Sequence, residues 1–396
     1  MKKITLVFFL SIFSLLTYSA SQKEGNVVWN IGKADHSALE FALAPNGFKN
    51  FISRDFGYED KYFLVGHSKE KKDFPYVIPG PVDTWGGTWP TSGWRTNQVN
   101  ILFGVQTLPV NGDYKLVLNL LDYAKKFLPK IKISINGQDE ELQLGAVGYD
   151  VNKQPYPKQD EAYVDTASIT GDLSSATPQI IEIPIKQNIL KKGGNVVTIT
   201  VLEGSWILFD QVKLEGSANL VLEKPDQLFI SEVKAADYEL KIEGGKVQPL
   251  LIDAKYLKGS PKIRVELDGK TIFKEKLEKG YYEFEAPMPA VEKPQKSNYR
   301  IYENGKLLEE DFVYRSKQKE QTLADYVDTR MGTAHSRWMI APGPWMPFSM
   351  VKMSPDNQNA GWQAGYQPSY ESVGTFSHIH EWTLGGLGIF ATNGKL

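Results

Sequence analysis

Short runs in which apolar and polar residues alternate occupy most of the chain, and a period of two residues is typical of a β-strand with one buried face. Turn-forming pairs such as Asn136-Gly137 and Gly193-Gly194 separate the runs. No long amphipathic helix pattern follows the N-terminal segment. We therefore predict a β-sandwich over residues 22–216, with its clearest strands at 115–121, 131–135, 180–185, 195–202 and 206–214.

A second set of short strands lies between residues 217 and 315. Two pairs of runs are joined by Asp268-Gly269 and by Asn304-Gly305, dipeptides that favour tight hairpin turns. About ninety residues with several such strands fit an immunoglobulin-like sandwich. Residues 316–322 are polar and charged, so we interpret them as a linker.

The last part of the chain, residues 323–396, differs in composition. It holds four of the nine Trp and three of the five His residues, and Gly and Pro are frequent. About seventy irregular residues make a poor independent core. We therefore expect the beginning of a domain that is cut short.

The N-terminus has the pattern of a secretory signal peptide over residues 1–21. Lys2 and Lys3 precede the apolar run 4–16, and small residues follow at 19–21. The run is shorter than the roughly 20 residues that a membrane span needs. The chain has no Cys, so disulfides, thiolate catalysis and Cys-ligated metals are excluded. An exported chain without disulfides favours a bacterial envelope, in the periplasm or outside the cell.

Charge and aromatic content bear on the partner. The net charge is −2, which gives no electrostatic basis for binding nucleic acid. Aromatic residues make up 12% of the chain. Tyr and Trp rings can stack on the apolar face of a sugar, although sandwich cores also use aromatic residues. We expect a glycan or oligosaccharide as partner, while the oligomeric state stays open.

Four ordered motifs occur in the last part of the chain. They are YVDTRMGT (326–333), APGPWMPFSMVKMSPD (341–356), GWQAGY (361–366) and TFSHIH (375–380). In this order they resemble the N-terminal β-sandwich of the family ninety-two glycoside hydrolases, which are calcium-dependent, inverting exo-α-mannosidases. Ser349 and Met353 depart from the usual Gly and Leu of that pattern, and the residues after His380 also differ.

The resemblance implies a sugar-pocket rim in this part of the chain. His378 and His380 are two residues apart and would share one face of a strand. Trp362 and Trp382 would form stacking walls, and Asp356 would accept hydrogen bonds from hydroxyl groups. The alternative is that the His and Trp residues pack a sandwich edge and that Asp356 caps a turn.

The catalytic machinery is not expected within these residues. In the resembled family, the two carboxyl groups that inversion requires, and the calcium ligands, come from a helical domain that follows the sandwich. We nominate no catalytic residue and no metal site, and we expect calcium only in the complete family enzyme. The chain by itself should not hydrolyse glycosides.

The first part of the chain carries a second resemblance. VWNIGKAD (28–35), NVVTITV (195–201) and ILFDQVKL (207–214) are similar to strands of the jelly-roll domain of family-four rhamnogalacturonan lyases. That domain is galactose-binding-like and similar to carbohydrate-binding modules. Trp85, Trp89 and Trp94 lie close together among Gly and Pro residues, which suggests an exposed loop that binds sugar. A loop folded over the sandwich core, or docked on the next domain, is a nearly equal alternative.

These observations favour one function over two others. We expect an exported accessory and N-terminal portion of a family ninety-two-like α-mannosidase, all-β throughout, with a carbohydrate-binding jelly roll and an immunoglobulin-like spacer. A non-catalytic glycan-binding envelope protein is the first alternative. A polysaccharide lyase relative is the second, and it rests on the first unit alone.

Overall fold

The computed structural model describes residues 26–58, 60–86, 97–145, 167–186, 188–278, 281–329, 354–356, 373–378 and 387–393. Strands dominate these ranges, and the prediction of an all-β chain is confirmed. The one α-helix is the single turn α1 (Glu70–Asp73) among the described residues. None of the helices in these ranges has the length and apolar character needed to cross a bilayer.

The first sandwich consists of two sheets, in which every strand pairing but one is antiparallel. One sheet has the order β1-β10-β5-β8, with β3 beside β10, and the other has the order β11-β4-β9-β6-β7, with β2 parallel to β4. The first strand, β1, pairs with the penultimate strand, β10, so the two ends of this unit lie side by side in one sheet. The strands are β1 (Asn26–Gly32), β2 (Tyr62–Leu64), β3 (Val77–Ile78), β4 (Gln98–Thr107), β5 (Tyr114–Tyr123), β6 (Lys130–Ile135), β7 (Gln138–Gln143), β8 (Gln179–Ile185), β9 (Gly193–Glu203), β10 (Ile207–Gly216) and β11 (Val221–Leu222).

Alternation along these strands builds the core between the sheets. On β8, Ile181, Ile183 and Ile185 are buried whereas Ile180 and Glu182 are exposed. The inward residues of all the long strands join one hydrophobic cluster that runs from Trp29 to Leu214. This period-two burial is the pattern from which the strands were predicted.

The second sandwich has its own, smaller core. Its sheets are β12-β14-β13-β20, with β17 beside β14, and β16-β15-β18-β19. The hairpins at Asp268-Gly269 and Asn304-Gly305 are confirmed, and all four residues have positive φ. The strands are β12 (Leu228–Ala235), β13 (Tyr238–Ile242), β14 (Gly245–Tyr256), β15 (Lys262–Leu267), β16 (Lys270–Lys276), β17 (Tyr281–Pro289), β18 (Gln295–Glu303), β19 (Lys306–Arg315) and β20 (Lys319–Glu320).

The segment 316–322 is attached to the second sandwich, although its composition suggested a linker. β20 pairs in parallel with β13. The backbone N–H of Gln318 donates to the Glu239 carboxylate at 2.9 Å, and the backbone N–H of Gln321 donates to the Glu239 backbone carbonyl at 2.8 Å. These bonds hold the segment in a sheet, a long-range pairing that local composition does not reveal.

Two short strands are described beyond this point. β21 (Ser354–Asp356) and β22 (Thr375–Ser377) pair in antiparallel fashion. Ile389 and Phe376 form a further bridge with two backbone hydrogen bonds, of 2.8 and 3.0 Å. The two strands come from separate motifs of the third unit, and the fold brings them side by side.

Candidate functional site

Trp85 lies in the core of the first sandwich. Its side chain is 6% exposed, and its ring makes edge-on contacts with Phe48 at 5.2 Å and Phe51 at 5.9 Å between centroids. The expectation of an exposed sugar-stacking ring is therefore wrong for this residue, and the alternative of a ring folded over the core is correct. The reason is tertiary, because Phe48 and Phe51 come from the loop between β1 and β2.

Asp83 anchors the chain just before this ring. Its carboxylate is fully buried and accepts hydrogen bonds from the Gly80 amide at 2.8 Å and the Ser205 hydroxyl at 2.7 Å. Burial raises the pKa of Asp83 from 3.8 to about 7, although these two hydrogen bonds act in the opposite direction. Asp83 thereby fixes the turn at 80–86 to the turn that precedes β10.

The described residues on either side of 87–96 are hydrogen-bonded, one within the turn that Asp83 anchors and the other to β9. On one side, the Gly86 amide donates to the Asp83 carbonyl at 3.1 Å. On the other side, Asn97 is buried, and its carbonyl accepts from the Val201 amide at 2.9 Å. Trp89 and Trp94 lie outside the described residues, so their predicted role stays a prediction.

Asp356 is buried at the end of β21, and its side chain is hydrogen-bonded to β22. Its side chain is 1% exposed, and its carboxylate accepts from the Ser377 amide at 3.1 Å. Its carbonyl accepts from the Gly374 amide at 2.8 Å. The carboxylate that was expected to bind sugar hydroxyls thus joins β21 to β22, which agrees with the structural alternative better than with a place on the pocket surface.

His378 follows β22 and lies at the surface. Its Nδ1 is 2.5 Å from the Leu387 carbonyl oxygen, which can only accept, so Nδ1 carries the proton in this contact. In the neutral ring, Nε2 is then an acceptor that could meet a sugar hydroxyl. The fold brings His378 next to the Asp356–Ser377 contact. Trp362, His380 and Trp382 lie outside the described residues.

The outer face of the first sheet holds a row of amide side chains that sequence reasoning missed. The Asn119 amide donates to the Gln211 side-chain oxygen at 3.3 Å, and the Asn30 amide donates to the Gly32 carbonyl at 3.0 Å. Asn119 is 8% exposed. The local signal is the alternation of polar residues at 211, 213 and 215 on β10, and the pairing of β5 with β10 places Asn119 beside Gln211.

Ion pairs continue this face toward the other end of the strands. Lys115 contacts Glu182 at 2.7 Å and Glu215 at 3.2 Å, and Lys213 contacts Glu215 at 2.6 Å. The two lysines lower the pKa of Glu215, against the opposing effect of burial. Polar groups fixed in this way could bind hydroxyl groups, but they form no acid–base pair for catalysis.

The expectation that calcium ligands lie outside this chain stays a prediction. No group of three or more His, Asp or Glu side chains in these ranges is placed to hold a metal ion. We therefore assign no chemistry to a metal here.

Comparison with known families confirms both resemblances seen in the sequence. Residues 27–214 match a CBM-like model described as polysaccharide lyase family 4, domain III. Residues 326–396 match the glycosyl hydrolase family 92 N-terminal domain. Two carbohydrate-related domains thus occur in one chain, on either side of the second sandwich.

Solved structures similar to this chain include glycosidases of low identity. A GH2 β-galacturonidase from Eisenbergiella tayi, bound to galacturonate, is 9% identical with a TM-score of 0.19, over 60% of this chain and 38% of that one. An FMN-binding β-glucuronidase from Facaelibacterium prausnitzii L2-6 is 11% identical with a TM-score of 0.17, over 56% and 32%. A calcium-binding mutant of Bacteroides uniformis β-glucuronidase 2 is 13% identical with a TM-score of 0.18, over 60% and 28%.

These likenesses do not indicate a shared activity. The chain spans well under half the length of each of the three glycosidases. No curated protein matches it. The two family matches therefore carry the functional argument.

Proposed function

We propose that the protein is an exported glycan-binding portion of a family ninety-two-like α-mannosidase, in which the jelly roll at 27–214 holds the glycan. The observation that carries this proposal is the match of 27–214 to a CBM-like domain. The described strands of that range form one sandwich of two sheets with a continuous core. The match of 326–396 to a glycosidase N-terminal domain supports an α-mannoside as the ligand class.

The binding surface we propose includes Trp89 and Trp94. Support comes from both flanks of this stretch: Gly86 bonds to Asp83, whose carboxylate Ser205 holds, and Asn97 bonds to Val201 of β9. A binding segment with fixed ends loses less conformational entropy when it meets a ligand. Trp85 contributes by packing on Phe48 and Phe51 rather than by touching sugar.

His378 is the described residue of the third unit that best fits a pocket rim. Its Nδ1 is engaged by the Leu387 carbonyl, which leaves Nε2 for a hydroxyl group. We propose that Trp362, His380 and Trp382 belong to the same rim. Catalytic carboxylates and calcium ligands are proposed for the helical domain of the complete family enzyme.

A binding experiment separates the two candidate surfaces of the jelly roll. Titration calorimetry of the full chain with α-mannosides and with pectin-derived oligosaccharides would compare Trp89→Ala and Trp94→Ala with Asn119→Ala and Gln211→Ala. We expect each Trp variant to weaken binding about tenfold, which corresponds to about 1.4 kcal/mol.

A matched control is Tyr314→Ala, which removes an aromatic ring that is 73% exposed on the second sandwich. This variant should bind as the unmodified chain does. Loss of affinity in the Asn119 and Gln211 variants alone would move the site to the amide row. No binding of either ligand class by a folded chain would refute the proposed function.

A further inference from the structure

The first and second sandwiches meet at a joint with its own small hydrophobic cluster. Leu64 and Leu102 of the first sandwich and Phe229 of the second are buried together. At this joint, β12 of the second sandwich packs on β9 of the first sandwich. A Cβ placed on Gly194 would be 2.4 Å from the Ser231 carbonyl oxygen and 2.7 Å from that of Ile230. The backbones therefore approach more closely than any side chain at position 194 would allow.

Glycines of the first sandwich also make room for acidic side chains at this joint. Gly104 pairs with Gly194 across β4 and β9. A Cβ on Gly104 would lie 2.5 Å from the Glu223 carboxylate, and a Cβ on Gly193 would lie 3.4 to 3.5 Å from the Glu309 carboxyl group. The Glu223 amide also donates to the Gly104 carbonyl at 2.9 Å. The carboxyl groups of Glu223 and Glu309 therefore lie close to glycine positions that carry no side chain.

The charges around these two acids are of both signs. Glu309 accepts a hydrogen bond from the Tyr299 hydroxyl at 2.7 Å. The groups that act electrostatically on the two acids are Glu303, Lys306 and Asp311 of the β18–β19 hairpin and Lys191 and Lys192 of the turn before β9. Asp226 acts on Glu303, and it pairs with Lys258 at 2.6 Å. Glu223, Glu303 and Glu309 are all partly buried.

We propose that the joint between the two sandwiches is pH-sensitive, docked tightly while Glu223 and Glu309 hold protons and loosened when both carboxylates are ionised. Glu309 and Glu303 act on Glu223 as like charges, and because all three side chains are partly buried, less solvent screens the repulsion. The lysines that face them are exposed, so water screens their compensating charge. Loosening would change the orientation of the jelly roll relative to the rest of the chain.

The titration of these groups agrees with this geometry. Burial raises the pKa of Glu223 from 4.5 to about 7, and the neighbouring Glu309 and Glu303 raise it further. Burial is also the main cause that raises the pKa of Glu309 and of Glu303. The docked state then binds protons that the undocked state releases. Docking is strongest below the ordinary carboxyl range and weakens as the pH rises toward 7.

The chain has no Cys, so two introduced Cys residues would be the sole sites for thiol-reactive labels. The distance between the labels would report on the joint. Asp139→Cys on β7 and Lys276→Cys on β16 place one label on an exposed position of each sandwich. Pulsed electron resonance or energy transfer on the full chain would follow the distance distribution from about pH 5 to about pH 8.5. The docking constant should fall by up to tenfold for each pH unit and each proton released.

The expected result is a narrow distribution at about pH 5 that broadens as the pH rises toward about 7. Glu223→Gln with Glu309→Gln should remain narrow throughout, and each single variant should reduce the response. Glu275→Gln, at an exposed position on β16, is the control and should behave as the unmodified chain does. A distribution that is independent of pH in the unmodified chain would overturn the proposal without any variant. A double variant that broadens as the unmodified chain does would also overturn it.

Discussion

Replacing Trp85 with Ala tests whether this ring supports the fold or binds sugar. The ring is 6% exposed and is held by Phe48 and Phe51 at 5.2 and 5.9 Å. Truncation removes both contacts and leaves a cavity at the end of the sandwich. We expect a large loss of stability, and an effect on glycan affinity only through that loss.

The magnitude follows from burial. A buried Trp removes about 150–250 Å² of surface from water, which at about 25 cal/mol per Å² gives about 4–6 kcal/mol as an upper estimate. Measured substitutions of this kind cost about 3–5 kcal/mol. In a domain of this size each kcal/mol lowers Tm by about 2–4 °C. The jelly roll should therefore unfold about 6–20 °C lower.

Differential scanning calorimetry of the full chain, combined with glycan titration well below the transition, measures both quantities. Leu39→Ala is a suitable control in the same sandwich, since its side chain is 60% exposed. That variant should unfold within about 2 °C of the unmodified chain, because surface substitutions usually cost less than about 0.5 kcal/mol. The reasoning fails if Trp85→Ala keeps its Tm and loses glycan affinity at a temperature where it is folded.

Three further changes have defined outcomes. Between about pH 4 and 7 the unmodified jelly roll should lose about 1–4 kcal/mol of stability, because Asp83 is protonated more readily in the folded state, and Asp83→Asn should flatten this dependence in denaturant titrations. Gly194→Ala should displace β12 from β9, because its Cβ would lie 2.4 Å from the Ser231 carbonyl, and labels on the two sandwiches should report a wider separation. Asp356→Ala should lower the local stability by about 1–3 kcal/mol. It should also speed hydrogen exchange of the Ser377 amide, which donates a hydrogen bond of 3.1 Å to the Asp356 carboxylate.

Each of these three predictions would be contradicted by a specific result. Equal pH profiles for Asp83→Asn and the unmodified chain would show that Asp83 does not titrate in this range. Thr200→Ala, further along β9, is the control for Gly194→Ala. The same separation in both variants would contradict the steric argument. Unchanged exchange at Ser377 in the Asp356 variant would mean that the hydrogen bond contributes nothing.

Much of the fold was predictable because its signals are local. The hairpins at Asp268-Gly269 and Asn304-Gly305 follow from residues that tolerate positive φ, and the structure has all four in that region. The buried positions of β8 follow from alternation alone. Pairing partners were not predictable in the same way, and β20 was interpreted as a linker because its partner β13 is distant in sequence.

The candidate site was less predictable, because it depends on where rings and carboxylates come to lie. Nothing next to Trp85 in the sequence shows that Phe48 and Phe51 will cover its ring. Asp356 follows a proline in a polar stretch, but the pairing of β21 with β22 buries it. The amide row at Asn119 and Gln211 depends on the register of β5 against β10.

The sequence by itself determined that this is an all-β chain with two carbohydrate-related regions, because strand periodicity, turn chemistry and ordered motifs are properties of neighbouring residues. Only the tertiary structure decided which aromatic ring lies in the core. It also decided that glycines of β9 lie against the backbone and Glu309 of the second sandwich, while Gly104 of β4 lies against Glu223. The electrostatics of Glu223 and Glu309 follow from that contact. Burial and the approach of like charges arise between residues far apart in the chain, and no local pattern encodes them.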